Sequence, residues 1–311
     1  MDRMKAMRFD DSVAPPGLII GTAQVPRPGP GEMLIRVKAA GVTPTELHWY
    51  PTTHTKNGAE RTRAIPGHEF SGIVEAVGSK VDPGQIGREV FGLNDWYADG
   101  AIAQYCLATP LQVATKPARL THIEAASVPI GALTAWQGLI DRAGLRSGQR
   151  VLVHGGAGAV GVYAIQLARR AGASVITTAS QRSFEFLIGL GANEVIDYHT
   201  ERFEQRMEAV DVVFDCVGGD TLQRSWDVLE PDGRMITIVS ENENTEDARV
   251  KEAFFIVEPN QAELAEAGRL FDAGELRCFV DAVVPFAEAS DAYCGKVRGR
   301  LGRGKMVVPI S

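Results

Sequence analysis

Nowhere in its 311 residues does the sequence run apolar for the roughly 18 positions that a membrane-spanning helix requires. It also lacks any excess of positive charge. Lys and Arg number 32 against 39 Asp and Glu, a formal net charge of −7, and phosphate backbones bind basic faces, so the balance argues against a nucleic-acid partner. Cysteine is scarce: Cys106, Cys216, Cys278 and Cys294 fall with no pairwise spacing, which points to reduced thiols rather than a disulfide framework or a metal knuckle. Internal repeats and low-complexity tracts are missing too. The start, Met1-Asp2-Arg3-Met4-Lys5, is charged with no apolar run behind it. It does not read as a secretory signal, and the expected location is the cytoplasm. What is present is a 45% hydrophobic composition, ordinary for a globular chain, and enough length for two domains.

Residues 1 to about 120 read as short strands between turns. Pro26-Arg27-Pro28-Gly29-Pro30-Gly31 is a strong breaker, followed by strand patterns at Met33–Ala39, Ser71–Gly78 and Arg88–Gly92. The style changes after about 120. Apolar strands at 151–153, 174–177, 194–196, 210–215 and 235–239 alternate with helical stretches at 158–171 and around 184–190. Such alternation implies parallel pairing through right-handed crossovers. The expected fold class is therefore α/β, with a Rossmann-type doubly wound parallel sheet over 121–259. A mostly β domain is expected from 1–120 together with the tail 260–311. Ala253-Phe254-Phe255-Ile256-Val257 reads as an apolar edge strand; it would either pair with its twin in a homodimer or lie under the chain's own tail.

Gly156-Ala157-Gly158-Ala159-Val160-Gly161 fits G-x-G-x-x-G, directly after one predicted strand and opening a helix. Small residues there let backbone N–H groups approach a pyrophosphate, and the helix N-terminus adds its dipole to the same anion. A tight turn that binds nothing is the plainer alternative. NAD binders carry an Asp or Glu about 20 residues beyond these glycines, on the ribose 2′-hydroxyl. Here the place reads Thr178-Ala179-Ser180-Gln181-Arg182. A guanidinium without a carboxylate suits a 2′-phosphate, so NADPH is the expected cofactor, unless Arg182 is only a solvated surface residue.

These residues carry a resemblance. The chain resembles the medium-chain dehydrogenase/reductase superfamily, within its zinc-independent quinone oxidoreductase branch. The likeness rests on Gly41-Val42-Thr43-Pro44-Thr45-Glu46, Pro66-Gly67-His68-Glu69-Phe70-Ser71-Gly72, Thr134-Ala135-Trp136, Val151 to Gly161, and Gly304-Lys305. It implies a GroES-like β domain formed by both ends of the chain, with the cofactor in the cleft between domains. The substrates it implies are small molecules, quinones or alkenes conjugated to a carbonyl. By the same resemblance, Ser180, Arg182 and Tyr198 fall on the 2′-phosphate and Thr134 near the nicotinamide, while Val217, Val239, Phe255 and Val257 line the cofactor. Lys305 belongs to the same set. The branch usually reads Gly-Val-Asn-Pro-Val-Asp where this chain has Gly41-Val42-Thr43-Pro44-Thr45-Glu46, so a hydroxyl replaces the usual amide at Thr43.

Zinc relatives in the superfamily also carry Gly-His-Glu. A catalytic zinc needs about three protein ligands. The usual first cysteine is Thr43 here, Gly131-Ala132-Leu133-Thr134 supplies neither cysteine nor carboxylate, and the four-cysteine structural loop is missing. His68 is accordingly read as hydrogen-bonded and structural, and no metal is expected. Hydride transfer to a conjugated substrate needs donors for the oxygen that gains charge. Thr43, Thr45 and Tyr50 are the candidates, and Tyr50 could supply a proton. The threonines could equally cap the turn around Pro44, and Tyr50 could be cleft wall. Two rival functions stand beside this one: a zinc alcohol dehydrogenase with unusual ligands, and a nucleotide-binding structural or sensory protein with little turnover.

Overall fold

The computed structural model describes residues 2–10 and 17–311. The chain forms two compact units, one from Met1–Ile130 with Pro259–Ser311, the other from Gly131–Glu258.

In chain order the first unit contributes β1 (Arg3–Phe9), β2 (Leu18–Gln24), β3 (Met33–Val42), β4 (Glu69–Val77), β5 (Glu89–Leu93), β6 (Tyr105–Ala108) and β7 (Val113–Thr115). The second unit supplies β8 (Arg150–His154), β9 (Ser174–Ala179), β10 (Glu194–Asp197), β11 (Val210–Asp215) and β12 (Leu229–Thr237). The tail adds β13 (Val280–Val283) and β14 (Lys305–Pro309) to the first unit.

The first unit is a GroES-like β domain. Its main sheet runs β13-β14-β3-β4-β5-β7, and β6 also pairs with β3. Strand β3 is long enough to hold two partners along its length. Met33–Arg36 pairs with β6, and Ala39–Val42 pairs with β14. Within β3, buried Ile35 and Val37 alternate with half-buried Arg36 and Lys38, the period-2 pattern of a sheet with one face inward. The β14–β3 pairing sews the last residues of the chain to the first unit and carries Lys305 to the end of β3 where Val42 meets Met306.

The second unit is a Rossmann-type sheet. Its five strands are all parallel, in the order β10-β9-β8-β11-β12. Numbered within the unit this is 3-2-1-4-5, the doubly wound order, whose crevice lies between the first and fourth strands. Val151, Leu152 and Val153 of central β8 are fully buried, as a parallel strand covered on both faces requires. The helix Gly161–Arg170 buries every residue from Gly161 to Ala168 and ends on exposed Arg169 and Arg170, cations well placed at a helix C-terminus.

One expectation needs correction. Ala253–Val257 is no strand: the helix Ala248–Ala253 runs up to it, and only Phe254 bridges to Thr237 of β12. Phe255 and Val257 are turned inward, at 5% and 7% exposure. Phe255 packs under the Arg142 guanidinium, 4.6 Å from its ring centroid. Ile256, between Phe255 and Val257, is 48% exposed.

Candidate functional site

In the second unit the residues singled out for the cofactor follow the carboxyl ends of successive strands. Gly156 to Gly161 follow β8, Ser180 and Arg182 follow β9, Tyr198 follows β10, Val217 follows β11 and Val239 follows β12. The three glycines differ in what they face. A Cβ on Gly156 would collide with Thr177 Oγ1, and one on Gly161 with the Gly155 carbonyl oxygen. A Cβ on Gly158 would meet only the Gly155 carbonyl oxygen, at 3.2 Å. The outer two therefore seal the turn against β9 and the following helix, and the middle one leaves its outer side clear. The backbone N–H groups of Ala159, Val160 and Gly161 have no partner among the described residues. Unpaired donors at a helix N-terminus beside a clear glycine suit an anion, so the residues present fit the pyrophosphate of a dinucleotide. Arg182 is exposed and makes no ion pair among the described residues. Tyr198 and Val217 are 58% and 52% exposed. Thr134, Phe255 and Val257, by contrast, are buried.

The turn rests on a polar support that the sequence reading missed. His154, the last residue of β8, is fully buried. Its Nε2 lies 2.9 Å from Ser225 Oγ and its Nδ1 3.0 Å from Thr178 Oγ1. Ser225 donates its own proton to the Thr221 carbonyl, so it accepts from His154 Nε2–H. That leaves Nδ1 to accept from Thr178, whose oxygen in turn accepts from the Gly155 N–H. The chain of bonds requires a neutral imidazole. Burial, with the Arg224 charge second, pushes His154 down to about 3. Across the crevice Asp215 of β11, also fully buried, accepts from the Val217 and Gly218 N–H groups and from Thr237 Oγ1 at 2.8 Å.

In the first unit two buried carboxylates organise the chemistry. Glu69 opens β4 at zero exposure, with Lys305 Nζ 2.6 Å from its Oε1 and the Ile130 N–H donating to Oε2 at 3.0 Å. Burial pushes the Glu69 carboxyl up, and Lys305 and the Ile130 N–H pull against that shift. Lys305, 4% exposed, also donates to Thr43 Oγ1 at 2.8 Å. Of the candidates here, the structure thus joins Thr43 to Lys305. Thr45 is exposed, and Tyr50, 47% exposed, stacks on His54 at 4.3 Å; among the described residues the Lys305 ammonium bonds to Thr43 and Glu69.

Glu46 is the second carboxylate, again at zero exposure. Gly67 N–H donates to its Oε1 at 3.0 Å, Tyr293 Oη–H to the same oxygen at 2.5 Å, and His68 Nδ1 lies 2.8 Å from Oε2. Gly67 holds φ +88°, and a Cβ there would lie 2.6 Å from Ile102 Cγ1, so glycine is what lets the N–H reach Glu46. Burial first, then the Glu46 charge, raises the Tyr293 phenol well above its usual range and keeps it a donor. His68 is hydrogen-bonded through Nδ1 and 1% exposed. As a zinc site the cluster does not fit. Among the described residues no three His, Cys, Asp or Glu side chains come together to hold a metal ion, and Thr43 is engaged with Lys305.

Residues 29–118 match the family described as alcohol dehydrogenase GroES-like domain, and residues 190–308 match zinc-binding dehydrogenase. The chain is 33% identical to a probable zinc-binding oxidoreductase, mitochondrial, of Arthroderma benhamiae, over 92% of this chain and 91% of that one. It is 32% identical to a 2-methylene-furan-3-one reductase of Solanum lycopersicum, over 89% of this chain and 71% of that one. The solved quinone oxidoreductase of Coxiella burnetii superposes with a TM-score of 0.88 at 32% identity, covering all of both chains.

The buried imidazole sets an acid limit on stability. Between pH 6.5 and about 3 the unfolded chain binds a proton that folded His154 refuses, so stability falls as pH falls through that window. The slope approaches about 1.4 kcal/mol per pH unit for one proton. Urea unfolding should show His154 alone removing about 2 kcal/mol between pH 7 and 5. A His154→Asn variant should be less stable at pH 7 and lose correspondingly less on acidification; an equal loss in both proteins would contradict this assignment.

Proposed function

The chain belongs to the medium-chain dehydrogenase/reductase superfamily, as a quinone oxidoreductase-like member, and on that footing we propose that it moves a hydride from NADPH to a quinone or an α,β-unsaturated carbonyl compound without zinc. Its coarser identity, an oxidoreductase working with a nicotinamide dinucleotide, is common to its relatives. The observation that carries the finer reading is the Thr43–Lys305 pair. Thr43 Oγ1 accepts from the Lys305 ammonium, which leaves the threonine's own proton to be donated and strengthens it as a donor. Such a hydroxyl can meet an oxygen that gains charge through conjugation.

When bound, the nicotinamide supplies the hydride. Reduction of a simple ketone places full charge on the oxygen beside the carbon attacked, where a metal Lewis acid is worth several kcal/mol. In an enone the charge spreads away from that carbon, and hydrogen-bond donors suffice. The names of relatives support the same class: one is a 2-methylene-furan-3-one reductase, another a quinone oxidoreductase. The 2′-phosphate preference is supported by Ser180-Gln181-Arg182 directly after β9, a strand end without a carboxylate.

Fluorescence titration should find NADPH bound more tightly than NADH. Arg182→Ala should weaken NADPH by about 1–3 kcal/mol and leave NADH nearly untouched; equal binding of both cofactors by the unaltered protein would refute the preference. Steady-state assays of metal-analysed protein should show NADPH oxidation with quinones and enones. Brisk oxidation of simple alcohols, or activity that tracks bound zinc, would overturn the proposed chemistry, and no turnover with any of them would favour a sensory role.

A further inference from the structure

Apart from Glu69 Oε1, which the Lys305 ammonium faces at 2.6 Å, three buried polar atoms of the first unit have no hydrogen-bond partner among the described residues: Trp49 Nε1, His68 Nε2 and Asn94 Oδ1. The His68 and Trp96 ring centroids are 5.1 Å apart, and the Trp49 and Trp96 rings meet edge to face at 5.2 Å. Asn94 comes in through the sheet. Glu69 pairs with Leu93 in the β4–β5 register, and the next rung is closed by the Asn94 N–H on the His68 carbonyl at 2.9 Å. Residues directly opposite on antiparallel strands project to the same face, so the side chains of His68 and Asn94 stand side by side. Asn94 spends its Nδ2 on the Asp99 carbonyl at 3.1 Å, which leaves Oδ1 as an acceptor.

Unpaired buried polar groups cost free energy, and one partner can serve all three if the Trp96 ring and the His68–Asn94 rung bring them together. The donor–acceptor count says which kind. Trp49 Nε1–H can only donate, and Asn94 Oδ1 can only accept. His68 is held by Glu46 with its proton on Nδ1, so Nε2 accepts when the ring is neutral and donates when it is an imidazolium. A bare carbonyl oxygen cannot satisfy Asn94, and an ammonium cannot satisfy Trp49. A water oxygen satisfies all three in either state of His68, and buried waters typically make about three such bonds.

We propose that Trp49, His68 and Asn94 form a site for one water, and that this water, recharged by the His68–Glu46 pair, delivers the proton that completes enone reduction. The role rests on the hydride-transfer reading above; the water site itself does not. In that reduction a C–H bond forms at the β-carbon as the hydride arrives. The π pair of the alkene moves to the α-carbon and carbonyl oxygen, and the enolate must gain a proton at the α-carbon. An O–H bond of the water breaks as the α-carbon C–H bond forms, and the Nε2 proton of the His68 imidazolium passes to the water oxygen. Neutral His68 keeps its Nδ1–H bond to Glu46, and solvent later returns the proton. A quinone needs no C–H protonation, so it makes no such demand.

A high-resolution crystal structure of the protein alone tests the site. One water within hydrogen-bond distance of all three atoms is expected; side chains bonded to one another, or an apolar void, would overturn it. The role is tested by Trp49→Phe, which deletes one N–H and keeps the ring, and by His68→Gln, with Trp49→Phe as the safeguard if the buried substitution fails to fold. Each should lower the ratio of enone to quinone turnover by about tenfold or more, within the usual reach of a positioned acid, and raise the solvent isotope effect on the enone reaction. An unchanged ratio and isotope effect would refute the proton role. Should the unaltered protein reduce neither substrate class, the hydride-transfer reading and the proton role fall together, and the crystallographic water still decides the site.

Discussion

A carboxylate taken fully out of water must be matched by charge and hydrogen bonds or it will not stay ionised. The first unit meets that constraint twice, at Glu46 and Glu69. Their partners come from remote stretches of chain: Lys305 from the last strand, Tyr293 from the tail, His68 and Gly67 from the entry to β4. The return of the tail to β3 thus has an electrostatic purpose as well as a packing one. Without Lys305 the Glu69 charge would be stranded, and Thr43 would lose the cation that orients its hydroxyl.

The second unit meets a different constraint, the approach of backbone to an anion. Its solution is steric. Two glycines of the turn are required by what presses on them from the protein, and the third by what has to stay open. The turn is then held from beneath by a neutral, desolvated His154 through Thr178. A chain of neutral hydrogen bonds fixes the backbone there without placing a positive charge inside the sheet.

How much of this was legible beforehand depended on range. The parallel sheet and the glycine turn follow from local pattern, because strand, turn and helix signals lie within a few residues of each other; Arg182 stood out by the missing carboxylate, whereas Ser180 and Tyr198 came with the family resemblance. The Glu46 cluster was not legible as a unit. Its bonds join residues 22 and 247 positions apart, and nothing in a local window announces that a glutamate after a proline will be buried. The same holds for Lys305, read as a cofactor residue from its motif and found paired with Glu69. Ala253–Val257 misled for a related reason: five apolar residues look like a strand, yet the chain leaves a helix at Ala253, only Phe254 bridges to β12, and Phe255 packs under Arg142. Thr45 and Tyr50 were candidates by residue type, and both are exposed.

The account turns on where the hydride goes. NADPH carrying deuterium at the transferring position, incubated with an aryl vinyl ketone, answers this in one mass spectrum. Deuterium at the β-carbon of the saturated ketone is the predicted result; deuterium on the carbinol carbon of an allylic alcohol would contradict the account.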